Sequence, residues 1–214
     1  LCLVRGESSD ILSRETADEM ARRRASLSEH LDSEVRNVVK TIELLRSDEL
    51  SRVVRMMAQA EKLWVVGFGD DYPLAHFARA LLIKIRADVR MIPIGGFSVP
   101  EEFASISASD TMLAFGVGRR SRALSNILRS SLEASASVIL ITAALSTRDQ
   151  SSASIILRCR SLGASLFPSN TAAVSLLTYL CVALASHLGY AALERMQSIE
   201  EIHTAWHDHA DRDG

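Results

Sequence analysis

Two glycine-punctuated segments carry the residues best suited to chemistry. Gly67-Phe68-Gly69-Asp70-Asp71 sets two carboxylates directly behind a Gly-x-Gly. Gly116-Val117-Gly118-Arg119-Arg120-Ser121 sets two guanidiniums and a hydroxyl behind a second one. Each segment ends an apolar run and precedes a helical pattern, so each offers the free amides and partial positive charge of a helix N-terminus. Asp71, at the expected N-cap, would satisfy those amides itself and hold a carboxylate where an anionic ligand would otherwise sit. At the second segment the balance reverses, because Arg119 and Arg120 suit bidentate contacts with carboxylate or phosphate. The expected ligand is polar and anionic at one end, held by Arg119 or Arg120 and Ser121. Asp70 or Asp71 would accept from sugar hydroxyls or pair with an amine.

Each feature also has a plainer reading. Asp71 could be a helix cap alone, and an Asp71–Arg119 or Asp70–Arg120 ion pair could fill the crevice. The glycines could serve only to turn the chain at strand ends. A dinucleotide site is not expected, since the third position of the first segment's motif is Tyr72 rather than Gly. Near the C-terminus His203 and His207 lie one helical turn apart beside Glu200 and Glu201, with His209 following. Two histidines without an assured third ligand read as a solvated helix rather than a zinc site. No metal and no cofactor are expected. His76 and His187 fall in helical stretches and read as packing residues.

Bulk properties narrow the classes. The chain has 214 residues, 48% of them hydrophobic, enough for one substantial core. A net charge of −2 argues against direct nucleic-acid binding by this chain, and 5% aromatics argues against base-stacking platforms. Cys2, Cys159 and Cys181 are odd in number and far apart, so they read as reduced thiols of a cytoplasmic protein. Residues 172 to 193 carry no Asp, Glu, Lys or Arg, which raises a membrane span. Ser175, Thr178, Ser186, His187 and Gly189, with no basic cluster on one flank, favour a buried core or dimer-interface helix instead.

The elements that must position these segments follow from periodicity. Residues 1–61 read as a helical lead-in, with Val35, Val38, Val39, Ile42 and Leu45 forming one apolar stripe. A second amphipathic helix begins near Leu50 and ends near Glu61. From Lys62 the texture changes to short apolar runs alternating with helical patterns. Strands are expected at Leu63–Val66, Val89–Ile94, Thr111–Phe115, Val138–Ile141 and Ile155–Cys159. Such alternation implies an α/β, three-layer αβα fold with a five-stranded parallel sheet, flavodoxin-like in winding. Ligands then bind outside the carboxyl ends of the strands, at the switch point in strand order.

That order of elements resembles the sugar isomerase (SIS) domain of phosphosugar isomerases and of phosphosugar-binding regulators. The resemblance runs from about Leu63 to Leu188. Asp110 to Ser121 matches the family's Asp, hydrophobic strand and Ser-x-Ser-Gly-x-Thr loop, and Ile141-Thr142 matches its Ile-Thr. The preceding helices, with Ile42-Glu43-Leu44-Leu45, resemble the linker of RpiR-type transcription regulators. On that resemblance residues 1–61 are linker, 62–190 the SIS domain and 191–214 a C-terminal helix and tail. The resemblance further implies a homodimer or homotetramer, an effector site at Gly67, Gly69, Asp70, Asp71, Gly116, Gly118, Arg119, Arg120, Ser121 and Thr142, and no catalysis. It also implies DNA binding through a helix-turn-helix domain that this chain, beginning without Met, does not show. The departures are specific. The first loop's usual Ser falls on Asp71, the two serines of the third loop on Gly116 and Gly118, its glycine on Arg119 and its Thr on Ser121. Only Ser121 keeps a hydroxyl, so the ancestral phosphate anchor is degraded.

Overall fold

A computed structural model describes residues 26–95, 99–118, 121–143, 151–163 and 167–210. Five strands, β1 (Leu63–Val66), β2 (Val89–Ile92), β3 (Thr111–Gly116), β4 (Ser137–Thr142) and β5 (Ile155–Arg158), form one sheet in the order β2-β1-β3-β4-β5. Every pairing is parallel. The order reverses between β1 and β3, so their carboxyl ends open the crevice that the sequence pattern anticipates.

The central strands are apolar along most of their length because both sheet faces are covered. All four residues of β1 and all six of β3 are buried. On one face Trp64, Val66, Ile92, Met112, Ala114 and Leu140 meet Leu124, Ile127 and Leu128 of α5 (Arg122–Glu133). On the other, Leu63, Val65, Leu113, Phe115, Ile139 and Ile141 meet three helices. These are α2 (Ser47–Gln59), α3 (Tyr72–Ile85) and α6 (Thr171–Leu188). Side chains alternate between faces with the two-residue period of a strand, so each strand serves both cores. A short α4 (Val99–Phe103) follows β2, and α7 (Tyr190–Ala210) closes the chain beyond Gly189.

Helix α1 (Leu27–Leu44) departs from its expected orientation. The apolar stripe predicts that Val35, Val39 and Ile42 face the core. Instead these are 52%, 46% and 64% exposed, while Ser33, Asn37 and Thr41 are buried. Of the stripe, only Val38 and Leu45 pack against the main core. The reason is hydrogen bonding. The segment after β5 brings unpaired backbone groups to this helix, and polar side chains answer them. Ser33 Oγ and Asn37 Nδ2 both donate to the Leu162 carbonyl, at 3.1 and 2.7 Å, and the Arg160 amide donates to Thr41 Oγ1 at 2.9 Å.

Among the described helices α6 alone is long and apolar enough to cross a membrane. Its row Ala172, Ala173, Leu176, Leu177, Leu180, Cys181 and Leu184 is buried in the core, and Tyr179 and Val182 are exposed.

Candidate functional site

Both glycine segments arrive at the β1/β3 crevice. Behind β1 the chain makes a 3-10 turn over Gly69–Asp71 and enters α3, with Pro73 in its first turn. Gly67 is required there by space: a Cβ would stand 2.4 Å from the Asp71 carbonyl oxygen and 2.9 Å from Ala75 Cβ. Gly69 is required by conformation, at φ +58°. Asp70 is exposed at the mouth, and Asp71 is buried.

Asp71 does not act as the expected cap. It occupies the N-cap position of α3 but makes no side-chain bond to that helix. Its Oδ1 instead accepts from the amides of Val117 and Gly118, at 3.1 and 3.0 Å, on the loop after β3. The carboxylate thus bridges the two strand ends across the switch point. Burial pushes its pKa above the ordinary carboxylate range, with the two amides pulling it back and Asp70 adding to the rise. Cys159 shares this interior. Burial first, then the Asp71 charge, pushes its thiol up to about 12, so it is an inert packing group. Cys181 is raised to about 12 by burial. Sequence reading missed the Asp71–Cys159 proximity, because nothing local links positions so far apart.

The remaining site residues have defined neighbours. Ser121 caps α5, its Oγ accepting from the Leu124 amide at 3.0 Å. Thr142, buried, donates to the Gly116 carbonyl at 2.7 Å and so ties the end of β4 to the end of β3. Gly118 lies beside both acids: a Cβ there would sit 3.4 Å from Asp70 Cβ and 3.7 Å from each Asp71 carboxylate oxygen. Arg119 and Arg120, the expected anion contacts, lie outside the described residues.

Asp110 stands at the opposite, amino end of β3. Its Oδ1 accepts from the Lys62 amide at 3.1 Å, and its Oδ2 accepts from Trp64 Nε1 at 3.2 Å and the Ser107 amide at 2.9 Å. With Lys62 Nζ at 3.6 Å, it is a structural staple between β1 and β3. His76 and His187 are exposed rather than packed, the former against the Tyr72 ring at 5.9 Å between centroids. They sit on helix faces turned from the sheet. Among the described residues no group of three or more His, Cys, Asp or Glu could hold a metal ion.

A second concavity was not foreseen. A groove of about 660 Å³ runs between α1 and the segment after β5, lined by Arg36, Asn37, Lys40 and Arg160 among others. The four-residue spacing of Ser33, Asn37 and Thr41 was the signal in the sequence that could have found it.

No protein-family profile matches the chain, and no curated protein matches it. Solved structures do. The sugar isomerase domain of an RpiR transcription factor from Sphaerobacter thermophilus is similar at a TM-score of 0.76 and 17% identity, over 81% of this chain and 97% of that one. The NanR protein of Vibrio vulnificus, solved with ManNAc-6P, is similar at a TM-score of 0.70 and 18% identity, over 88% of this chain and 72% of that one. The C-terminal domain of glucosamine-fructose-6-phosphate aminotransferase from Francisella tularensis is similar at a TM-score of 0.62 and 16% identity, over 84% and 48%. The fold is therefore shared by regulators and by enzymes of phosphosugars. The chain has the SIS fold, the αβα sheet architecture seen in the sugar isomerase domains of RpiR-type regulators.

Proposed function

We propose that this chain is the effector-binding and dimerisation domain of an RpiR-type transcription regulator. It senses a sugar-like or phosphosugar-like metabolite and passes that signal to a helix-turn-helix domain outside the described residues. The observation that carries this reading is the Asp71 carboxylate on the Val117 and Gly118 amides. Backbone amides at a strand-to-helix turn are the natural holders of a phosphate, and here a carboxylate of the chain already occupies a pair of them. A second anion beside it would be repelled. A phosphosugar isomerase needs its substrate fixed while a base works over two carbons, so filled amides weigh against turnover.

In this reading the effector lies over Gly67, Gly69, Gly116 and Gly118. Exposed Asp70 accepts from its hydroxyls or pairs with an amine, and Ser121, still able to donate, takes a further oxygen. Arg119 and Arg120 are assigned any acidic group at the ligand's far end, and Asp71 and Thr142 hold the loops in place. The NanR structure, solved with ManNAc-6P, supports a small-molecule effector for a domain of this fold.

The shared face between copies is assigned to α1 and α7 rather than mainly to α6. Leu27, Leu31, Val35, Val39 and Ile42 of α1 are exposed, as are Tyr190, Leu193 and Met196 of α7. A face of this kind is covered in a working assembly. Effector binding would then shift the balance between dimer arrangements, and so the separation of two DNA half-sites. The setting is the cytoplasm, with no membrane and no cofactor.

A thermal-shift screen against sugar phosphates, sugar acids, amino sugars and polyols tests the reading. The expected hit is lost in Asp70→Ala and weakened in Arg119→Ala. Turnover of any aldose or ketose phosphate would establish the enzyme instead. Silence across the panel would leave a dimerisation module whose pocket is vestigial.

A further inference from the structure

The groove under α1 differs from the crevice in what its charges meet. Thr41 holds the Arg160 amide, and Ser33 and Asn37 hold the Leu162 carbonyl, so the segment after β5 is fixed against the helix at two points. This sets Arg160 across from Arg36 and Lys40 on the walls of one groove, where Glu29 is the one carboxylate among the described lining residues. Lys40 is matched by Glu43 at 2.7 Å. Arg36 and Arg160 make no ion pair among the described residues. Other exposed cations of the chain do find carboxylates, as at Arg46–Asp48 and Arg129–Glu133, but what sets Arg36 and Arg160 apart is that they share one groove.

Two guanidiniums on one concavity, neither of them ion-paired among the described residues, focus positive potential into it. Their planar forks suit bidentate contact with an oxyanion, and the volume of about 660 Å³ fits a small metabolite. Asn37 adds a buried amide to the lining, anchored by its bond to Leu162 and therefore fixed in orientation.

We propose that this groove is a binding site for a small dianion, a phosphate monoester or a dicarboxylate, held by Arg36 and Arg160 and separate from the β1/β3 crevice. Bound there, the anion joins α1 to the segment after β5 and so rigidifies the attachment of the lead-in helix to the body.

Isothermal titration of the 214-residue chain with inorganic phosphate and with succinate tests the site. Saturable binding of at least one is expected, weakening as salt is raised. It should fall at least tenfold in both Arg36→Gln and Arg160→Gln, and persist in Asp71→Asn, which alters only the other site. Phosphate alone binding would assign the monoester, and succinate alone the dicarboxylate. Because both arginines are exposed, unchanged melting of the variants is expected and reports that they fold. Absence of saturable binding by either probe overturns the proposal. So does binding that survives either arginine substitution, or that is lost in Asp71→Asn.

Discussion

The crevice between β1 and β3 and the groove under α1 treat charge in opposite ways. In the crevice a buried carboxylate has found two amides of a neighbouring loop, and the site is internally answered. In the groove the polar side chains are spent on the backbone, and two guanidiniums on the rim have no partner among the described residues. Depth accounts for the difference. A buried charge must be hydrogen-bonded or it is too costly to keep, whereas an exposed cation tolerates solitude in water. In the proposed readings an incoming molecule would meet the two acids of the crevice with hydroxyls or an amine, and the groove with negative charge.

The sharpest way to break the first region is to crowd it. Gly67→Ala would set a methyl 2.4 Å from the Asp71 carbonyl oxygen, forcing apart the turn that aims the carboxylate. A loss of about 3 kcal/mol is expected in chemical denaturation. Gly69→Ala meets open space and is strained only by its φ of +58°, so about 1 kcal/mol is expected. Equal effects at the two glycines would mean that close approach does not govern the turn.

Breaking the second region calls for its polar row. Asn37→Ala removes one of the two donors to the Leu162 carbonyl at a buried position. About 1 kcal/mol is expected, expressed as faster amide hydrogen exchange in residues 27–44 while the strands stay protected. Unchanged exchange in α1 would show that its apolar contacts through Val38 and Leu45 suffice.

The smallest effect concerns pH. Because burial raises the Asp71 pKa above its value in the unfolded chain, folding gains from its proton at low pH. That contribution is full below the unfolded pKa of about 3.9 and is lost as pH rises through the folded value. Asn in its place still offers an oxygen to both amides and does not titrate. The stability of the native chain relative to Asp71→Asn should therefore decline as pH rises from about 4 toward neutrality. A relative stability that rises over that range would mean the two amides outweigh the desolvation.

Much of this was legible in the chain. The apolar runs at Leu63–Val66 and Thr111–Phe115, each stopped by glycines, foretold buried parallel strands and the crevice at their carboxyl ends. The roles of Asp71 and of α1 were not legible. At α1, hydrophobic periodicity pointed to the wrong inward face, since it weighs side chains and not the backbone groups of a segment more than a hundred residues away. At Asp71 the N-cap rule looked three residues ahead, but the amides that won were supplied by residues 117 and 118.

By itself, the sequence determined the alternation of strands and helices, because burial on two faces and helical period are local patterns of apolar residues. Which donors the Asp71 carboxylate would meet, and which face α1 would turn inward, only the tertiary structure decided. Both depend on polar groups that become neighbours after the sheet has formed, when every buried amide and carbonyl must find a partner.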